Sequence, residues 1–96
     1  MLFDLTGFQR DLLYVISGLE RPSGQEVKER FERDFGGEIK HGRLYPNLDH
    51  LVDNGYVEKG RLDRRTNYYQ LTHLGRQKLD ERRDWENQIQ TGQATG

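Results

Sequence analysis

The chain has two prolines, Pro22 and Pro46, and they restrict where its first three helices can stop and start. A residue before proline is pushed out of the α region, so Arg21-Pro22 closes whatever helix precedes it. Inside a helix, proline removes a hydrogen bond and crowds the carbonyl four residues back, so it is tolerated mainly in the first turn. Pro46 lies in Gly42–Tyr56, GRLYPNLDHLVDNGY, where Leu44, Leu48, Leu51 and Val52 fall within an arc of about 100° at helical spacing. The proline therefore predicts a helix starting at Gly42 or Arg43, and Asn54-Gly55 ends it.

Two capping boxes mark the earlier helices. Thr6 with Gln9, and Ser23 with Glu26, each pair a hydroxyl with a side chain that answers it three residues later. Phe8, Leu12, Val15, Ile16 and Leu19 form the apolar stripe of the first helix. Val27, Phe31 and Phe35 form that of the second, which Gly36-Gly37 terminates. Beyond the third helix, Tyr56–Gly60 and Thr66–Leu71 are short and rich in β-branched or aromatic residues. With the polar turn Arg61–Arg65 between them they read as a β-hairpin. Asn67 and Tyr69 share one face of it, Tyr68 and Gln70 the other. Thr72 can cap a last helix over about residues 73–89, in which Leu74 and Leu79 precede a charged stretch and Trp85 and Ile89 follow it. That order predicts a helix leaving the globule. Residues 91–96 lack core-forming side chains and are expected to be a disordered tail, leaving 1–90 as one domain.

Ninety-six residues with 32% hydrophobic and 32% charged side chains make a limited core, which a second subunit would extend. The absence of cysteine excludes disulfides and thiolate metal sites. His41, His50 and His73 are scattered, so no metal or other cofactor is expected. No phosphate loop, nucleophile elbow or HExxH motif occurs, and no enzymatic activity is expected. No apolar run reaches membrane length and no leader pattern opens the chain, which predicts a cytoplasmic protein. The net charge of −1 hides an uneven distribution. Residues 1–39 carry 5 basic and 8 acidic side chains, 40–67 carry 6 and 4, and 68–96 carry 4 of each. Positive charge gathers in the middle third, where it can steer the chain toward phosphate. The 4 lysines against 11 arginines and 16 carboxylates lean slightly toward the composition of salt-adapted proteins.

The predicted fold is mainly α with a small β-hairpin: a winged helix-turn-helix of three helices, a two-stranded wing and a C-terminal dimerisation helix. The residues also match a family. LTGFQRDLLYVI, SGQEVKERFE, GRLYPNLDHLVDNGYVE and RRTNYYQLTHLGRQKL occur in the order found in PadR-like winged-helix transcriptional regulators, which the chain resembles over roughly residues 5–82. The resemblance implies a homodimeric DNA-binding repressor. Two features depart from the family: Arg43 stands where a small hydroxyl residue is common, and a single last helix replaces the long C-terminal domain of larger members.

Candidate contacts follow from helical geometry. With Leu44 at 0°, Arg43 lies at about 260°, Asn47 at about 300° and His50 at about 240°, flanking the solvent side. Arginine pairs bidentately with guanine and asparagine with adenine. Lys40 and His41 precede the helix and are candidates for phosphate. Tyr45, at about 100°, lies at the core boundary; the resemblance also implies a contact with the DNA backbone. Arg61, Arg64 and Arg65 surround the wing tip, with Asn67 at the start of the second strand, and are expected on phosphates or in the minor groove. Leu2, Phe3, Leu79, Arg82, Trp85 and Ile89 are the candidate dimer interface. The competing reading is a winged-helix module that binds protein rather than DNA, for which the wing arginines have no use. A regulator sensing a small molecule in an aromatic pocket between subunits is a third.

Overall fold

The computed structural model describes residues 1–92. In chain order they form α1 (Gly7–Ser17), α2 (Gly24–Phe35), α3 (His41–Asp53), β1 (Val57–Arg61), β2 (Asn67–Leu71) and α4 (His73–Thr91). The strands pair antiparallel, Val57 opposite Leu71 and Arg61 opposite Asn67. A third rung joins them: Ser23 bridges Tyr68, and the Tyr69 N–H donates to the Pro22 carbonyl at 2.8 Å. This bridge ties the wing to the start of α2 and so fixes it beside the helical core. The arrangement is the winged helix-turn-helix that the sequence predicts.

Both capping boxes form, with the side chain and backbone of Thr6 answering Gln9 and those of Ser23 answering Glu26. The ends of the helices differ more. α1 stops at Ser17, four residues before Arg21, because Gly18 is a poor helix former and Ser17 Oγ turns back onto the Tyr14 carbonyl at 2.6 Å. Arg21 then takes a left-handed φ of 45° to turn the chain into Pro22. α3 begins at His41 behind the cap Lys40, so Pro46 is its sixth residue rather than a first-turn residue. The residue four back is Gly42, which is exposed, so its carbonyl can turn to water in place of a helical donor at little cost. α4 runs two residues past the expected 89, to Thr91 with Gly92 as its cap. The expected tail therefore loses Thr91 to the helix, and its residues 93–96 lie outside those described.

The core gathers Leu12, Leu13 and Ile16 of α1, Val27 and Phe31 of α2 and Leu44, Leu48 and Leu51 of α3, closed by Val57 and Tyr69 of the wing. Each such side chain contributes roughly 1.5–3 kcal/mol by leaving water. Phe35 is a correction to the predicted α2 stripe: it lies past the core and is 59% exposed. Two interface candidates are also corrected. Leu2 and Leu79 are 1% and 3% exposed within this one chain, so they serve its own core and have no surface to offer a partner. The N-terminal segment folds inward because the Arg10 guanidinium donates to the carbonyls of Leu2 and Leu5, at 3.3 and 2.8 Å. The Tyr56 hydroxyl adds a bond to Asp4 at 3.2 Å.

Gly75 sets the angle at which α4 leaves. A Cβ there would collide with the backbone carbonyl oxygen of Tyr56 and with the Leu71 side chain. The Tyr56 carbonyl already accepts the Thr72 N–H at 3.1 Å and cannot retreat freely. Gly75→Ala is expected to destabilise the domain by about 1–3 kcal/mol despite alanine's better helix propensity. Thermal melting followed by circular dichroism checks this at roughly 4–8 °C per kcal/mol. An unchanged melting temperature would show that the contact relaxes.

Candidate nucleic-acid interface

The leucines of α3 are fully buried, which turns the opposite side of the helix outward. Arg43 and His50 are exposed along it, and Lys40 and His41 are exposed at the front end of the helix. Arg43 does not project freely: its guanidinium lies 4.0 Å from the centre of the Phe8 ring of α1. Asn47, half-buried, accepts from Gln9 Nε2 through Oδ1 at 2.9 Å and donates from Nδ2 to the Arg43 carbonyl at 2.6 Å. Each bond uses one of two lone pairs and one of two N–H groups, so the amide is oriented but retains bonding capacity. His41 sets its ring edge-on to Tyr45 at 5.5 Å.

Tyr45 is half-buried and packs where Gly24 opens α2; a Cβ on Gly24 would lie 2.7 Å from the tyrosine hydroxyl. Around this contact, Ser23, Gly24 and Gln25 face Arg65, Thr66 and Asn67 of the wing across a polar groove of 310 Å³. The start of α2, the front of α3 and the tip end of β2 thus converge. Ser23 Oγ takes the Glu26 N–H, while the N–H groups of Gly24 and Gln25 have no acceptor within the helix. Tyr69 forms the floor. Burial first, then the charge of Asp49, pushes its hydroxyl pKa up to about 12.

The wing tip is built by Asp63. Its Oδ1 accepts the backbone N–H groups of Arg65 and Thr66 at 2.9 and 3.0 Å. Chiefly the Arg65 bond holds the carboxyl below the usual aspartate range, so this support is complete above the unfolded value near 3.8 and is lost as pH falls through the lower folded one. Arg61 has a structural share, its guanidinium donating to the Arg64 carbonyl at 3.2 Å. The side chains of Arg64 and Arg65 are exposed and make no bond to the protein among the described residues. Lys59, part of the basic middle third, is drawn to Asp49 at 3.5 Å. Arg21 stacks on Tyr68 at 4.2 Å, adding a cation to the wing's side that its distance in sequence concealed.

The remaining interface candidates lie apart from this surface, on α4 and the N-terminal segment. Phe3 and Trp85 meet edge to face at 5.3 Å, and Arg82 lies over both rings at 5.4 and 4.7 Å. Phe3 remains 64% and Ile89 54% exposed. Among the described residues there is no group of three or more metal-ligating side chains, and no helix long and apolar enough to cross a membrane.

Residues 12–81 match the transcriptional regulator PadR-like family. Several solved structures are similar. The RosR-SG complex shares 45% identity, covering 91% of this chain and 77% of that one with a TM-score of 0.86. RosR of H. salinarum, grown from NaBr, shares 45% over 90% of this chain and 77% of that one, with a TM-score of 0.83. The RosR-S1 complex shares 47% over 86% and 73%, with a TM-score of 0.82. No curated protein matches the chain.

Proposed function

The chain belongs to the PadR-like family of DNA-binding transcriptional regulators, and from that premise we propose that it is a cytoplasmic homodimeric repressor which reads its operator with α3 and grips the flanking backbone with the wing. The observation that carries the reading is the convergence of the front of α3, the start of α2 and the tip end of β2 on one polar groove, flanked by the exposed cations of α3 and the wing turn.

The proposed division of labour follows from the side chains. α3 enters the major groove, which at about 12 Å admits one helix. Arg43 reads a guanine through its paired N–H groups, while Asn47 and His50 lie one and two turns further along the same side. Lys40, His41 and Tyr45 meet phosphate at the front of the helix, where the peptide dipoles also favour an anion. Arg61, Arg64, Arg65 and Asn67 extend the footprint to the neighbouring backbone or minor groove. Residues 1–90 act as one unit in which α4, through Arg82, Trp85 and Ile89 with Phe3, pairs two copies. Two-fold symmetry then sets two half-sites about one helical turn of DNA apart. The role is binding rather than catalysis, as expected of a transcriptional regulator.

Arg43→Ala tests the reading. It is expected to cost about 1–3 kcal/mol on the preferred operator and to relax preference at one base pair. Selection from a random duplex pool, followed by titration of the selected site and its single-base variants, measures both. Equal loss on all sequences would make Arg43 a phosphate contact instead.

A further inference from the structure

The first turn of α1 lies against the first turns of α3 at two places, and both concern residues that face the proposed DNA surface. Phe8 lies under the Arg43 guanidinium at 4.0 Å, and Gln9 is bonded to Asn47 at 2.9 Å. Neither partner is free to shift. Phe8 packs on Phe31 with ring centres 5.2 Å apart, and Gln9 is 8% exposed and held by Thr6 in the capping box. Asn47 is in turn bonded to the carbonyl of Arg43, so the second contact steadies the backbone from which the arginine springs.

We propose that Phe8 is a specificity-positioning residue: its ring is the platform on which Arg43 is held for base readout, although Phe8 itself does not touch DNA. This rests on the reading of Arg43 as a base contact and adds how its discrimination arises. A guanidinium stacked on an aromatic face keeps its N–H groups in the plane, free to form a bidentate pair. An arginine on a bare helix surface surrenders rotamer freedom when it docks; one already resting on a ring surrenders less. The stack also limits the directions in which the fork can point, so a base presenting the wrong acceptors cannot be met by a small swing of the side chain.

The test uses the full chain and four variants: Phe8→Leu, Phe8→Tyr, Arg43→Ala and the Phe8→Leu/Arg43→Ala double. Leucine keeps an apolar side chain against Phe31 but removes the face; tyrosine keeps the face. Melting and the salt dependence of binding to unrelated duplex check that fold and phosphate contacts survive. The readout is the affinity ratio between the preferred site and the site changed at the base pair where Arg43→Ala relaxes preference. Phe8→Leu is expected to lower that ratio by about 2- to 5-fold, the size of an exposed cation–aromatic contact. Phe8→Tyr is expected to match the wild type, and Phe8→Leu to have no further effect once Arg43 is alanine.

An unchanged ratio in Phe8→Leu, with Arg43→Ala lowering it, would overturn the platform and leave Arg43 as a reader. An equal effect of Phe8→Leu with and without Arg43 would overturn it too, since the ring would then act through the fold. If Arg43→Ala changes no ratio at any position, the base-contact reading fails and the platform fails with it.

Discussion

Replacing Arg64 and Arg65 together with alanine is expected to leave melting intact while weakening binding to every duplex by a similar factor. The wing geometry separates these two effects. The turn is held by backbone groups: the Arg65 N–H on Asp63, and the Arg64 carbonyl that accepts Arg61. Alanine keeps both, and neither arginine side chain serves the core, so stability should move by about 0.5 kcal/mol or less. Arg61 is left out of the test because its guanidinium braces the turn, and its loss would mix folding with binding. Removing one phosphate-bound cation should flatten the slope of log affinity against log salt by about 0.9. In a symmetric dimer each substitution counts twice, so the slope should fall by roughly 2–4. Titrations over a range of salt, on the selected operator and on unrelated duplex, measure it. Intact melting with unchanged affinity and slope would take the wing off the DNA surface.

The parts of the fold legible in the sequence are those decided within a few residues. Thr6–Gln9 and Ser23–Glu26 are local exchanges of hydrogen bonds, and both form. The hairpin strands, set by β-branched and aromatic runs, shift by about one residue because Arg61 extends β1 to pair with Asn67. The differences arise where a tertiary partner or an unusual backbone decides. Pro46 is tolerated in the second turn of α3 because the carbonyl it leaves without a donor, that of Gly42, is open to water, a compensation that a general rule for proline does not weigh. Leu2 reads in sequence as a free terminal apolar residue, but Arg10 draws that segment into the core. Phe35 continues the period of Val27 and Phe31 yet, as the last residue of α2, rests beside Phe31 and stays 59% exposed.

The site divides in the same way. Its charges are visible as a basic middle third, and the outward side of α3 follows from four apolar residues and a helical period. The contacts that shape it are not visible. Phe8 reads as one more residue of the α1 stripe, and only the packing of α1 on α3 places it beneath Arg43. Gln9 is fully explained in sequence by its cap, yet its amide also reaches Asn47 from 38 residues away. Gly24 follows a capping serine and carries no signal of its own; its meaning is the room it leaves for Tyr45.

The dimer proposal has its sharpest test at Trp85. Within one chain the indole already has company, meeting Phe3 edge to face and lying under the Arg82 guanidinium. That cluster does not close on itself. Phe3 is 64% exposed, and Ile89, one turn beyond Trp85, is 54% exposed on a helix whose last buried residue is Leu79. A second copy would cover this surface with apolar contacts that a monomer leaves in water. Large aromatics in such positions carry much of the binding energy of an interface. Trp85→Ala is therefore expected to weaken dimerisation by about 2 kcal/mol or more, roughly 30-fold or greater. Phe3→Ala should act in the same direction because it removes the ring that supports the indole. Sedimentation over a range of micromolar concentrations gives the dimer constant, and circular dichroism shows whether the core, held by Leu2 and Leu79, persists. A variant that stays fully dimeric would confine Trp85 to its own chain. A wild type that sediments as a monomer would remove the interface altogether, and with it the doubling of the salt slope expected at the wing.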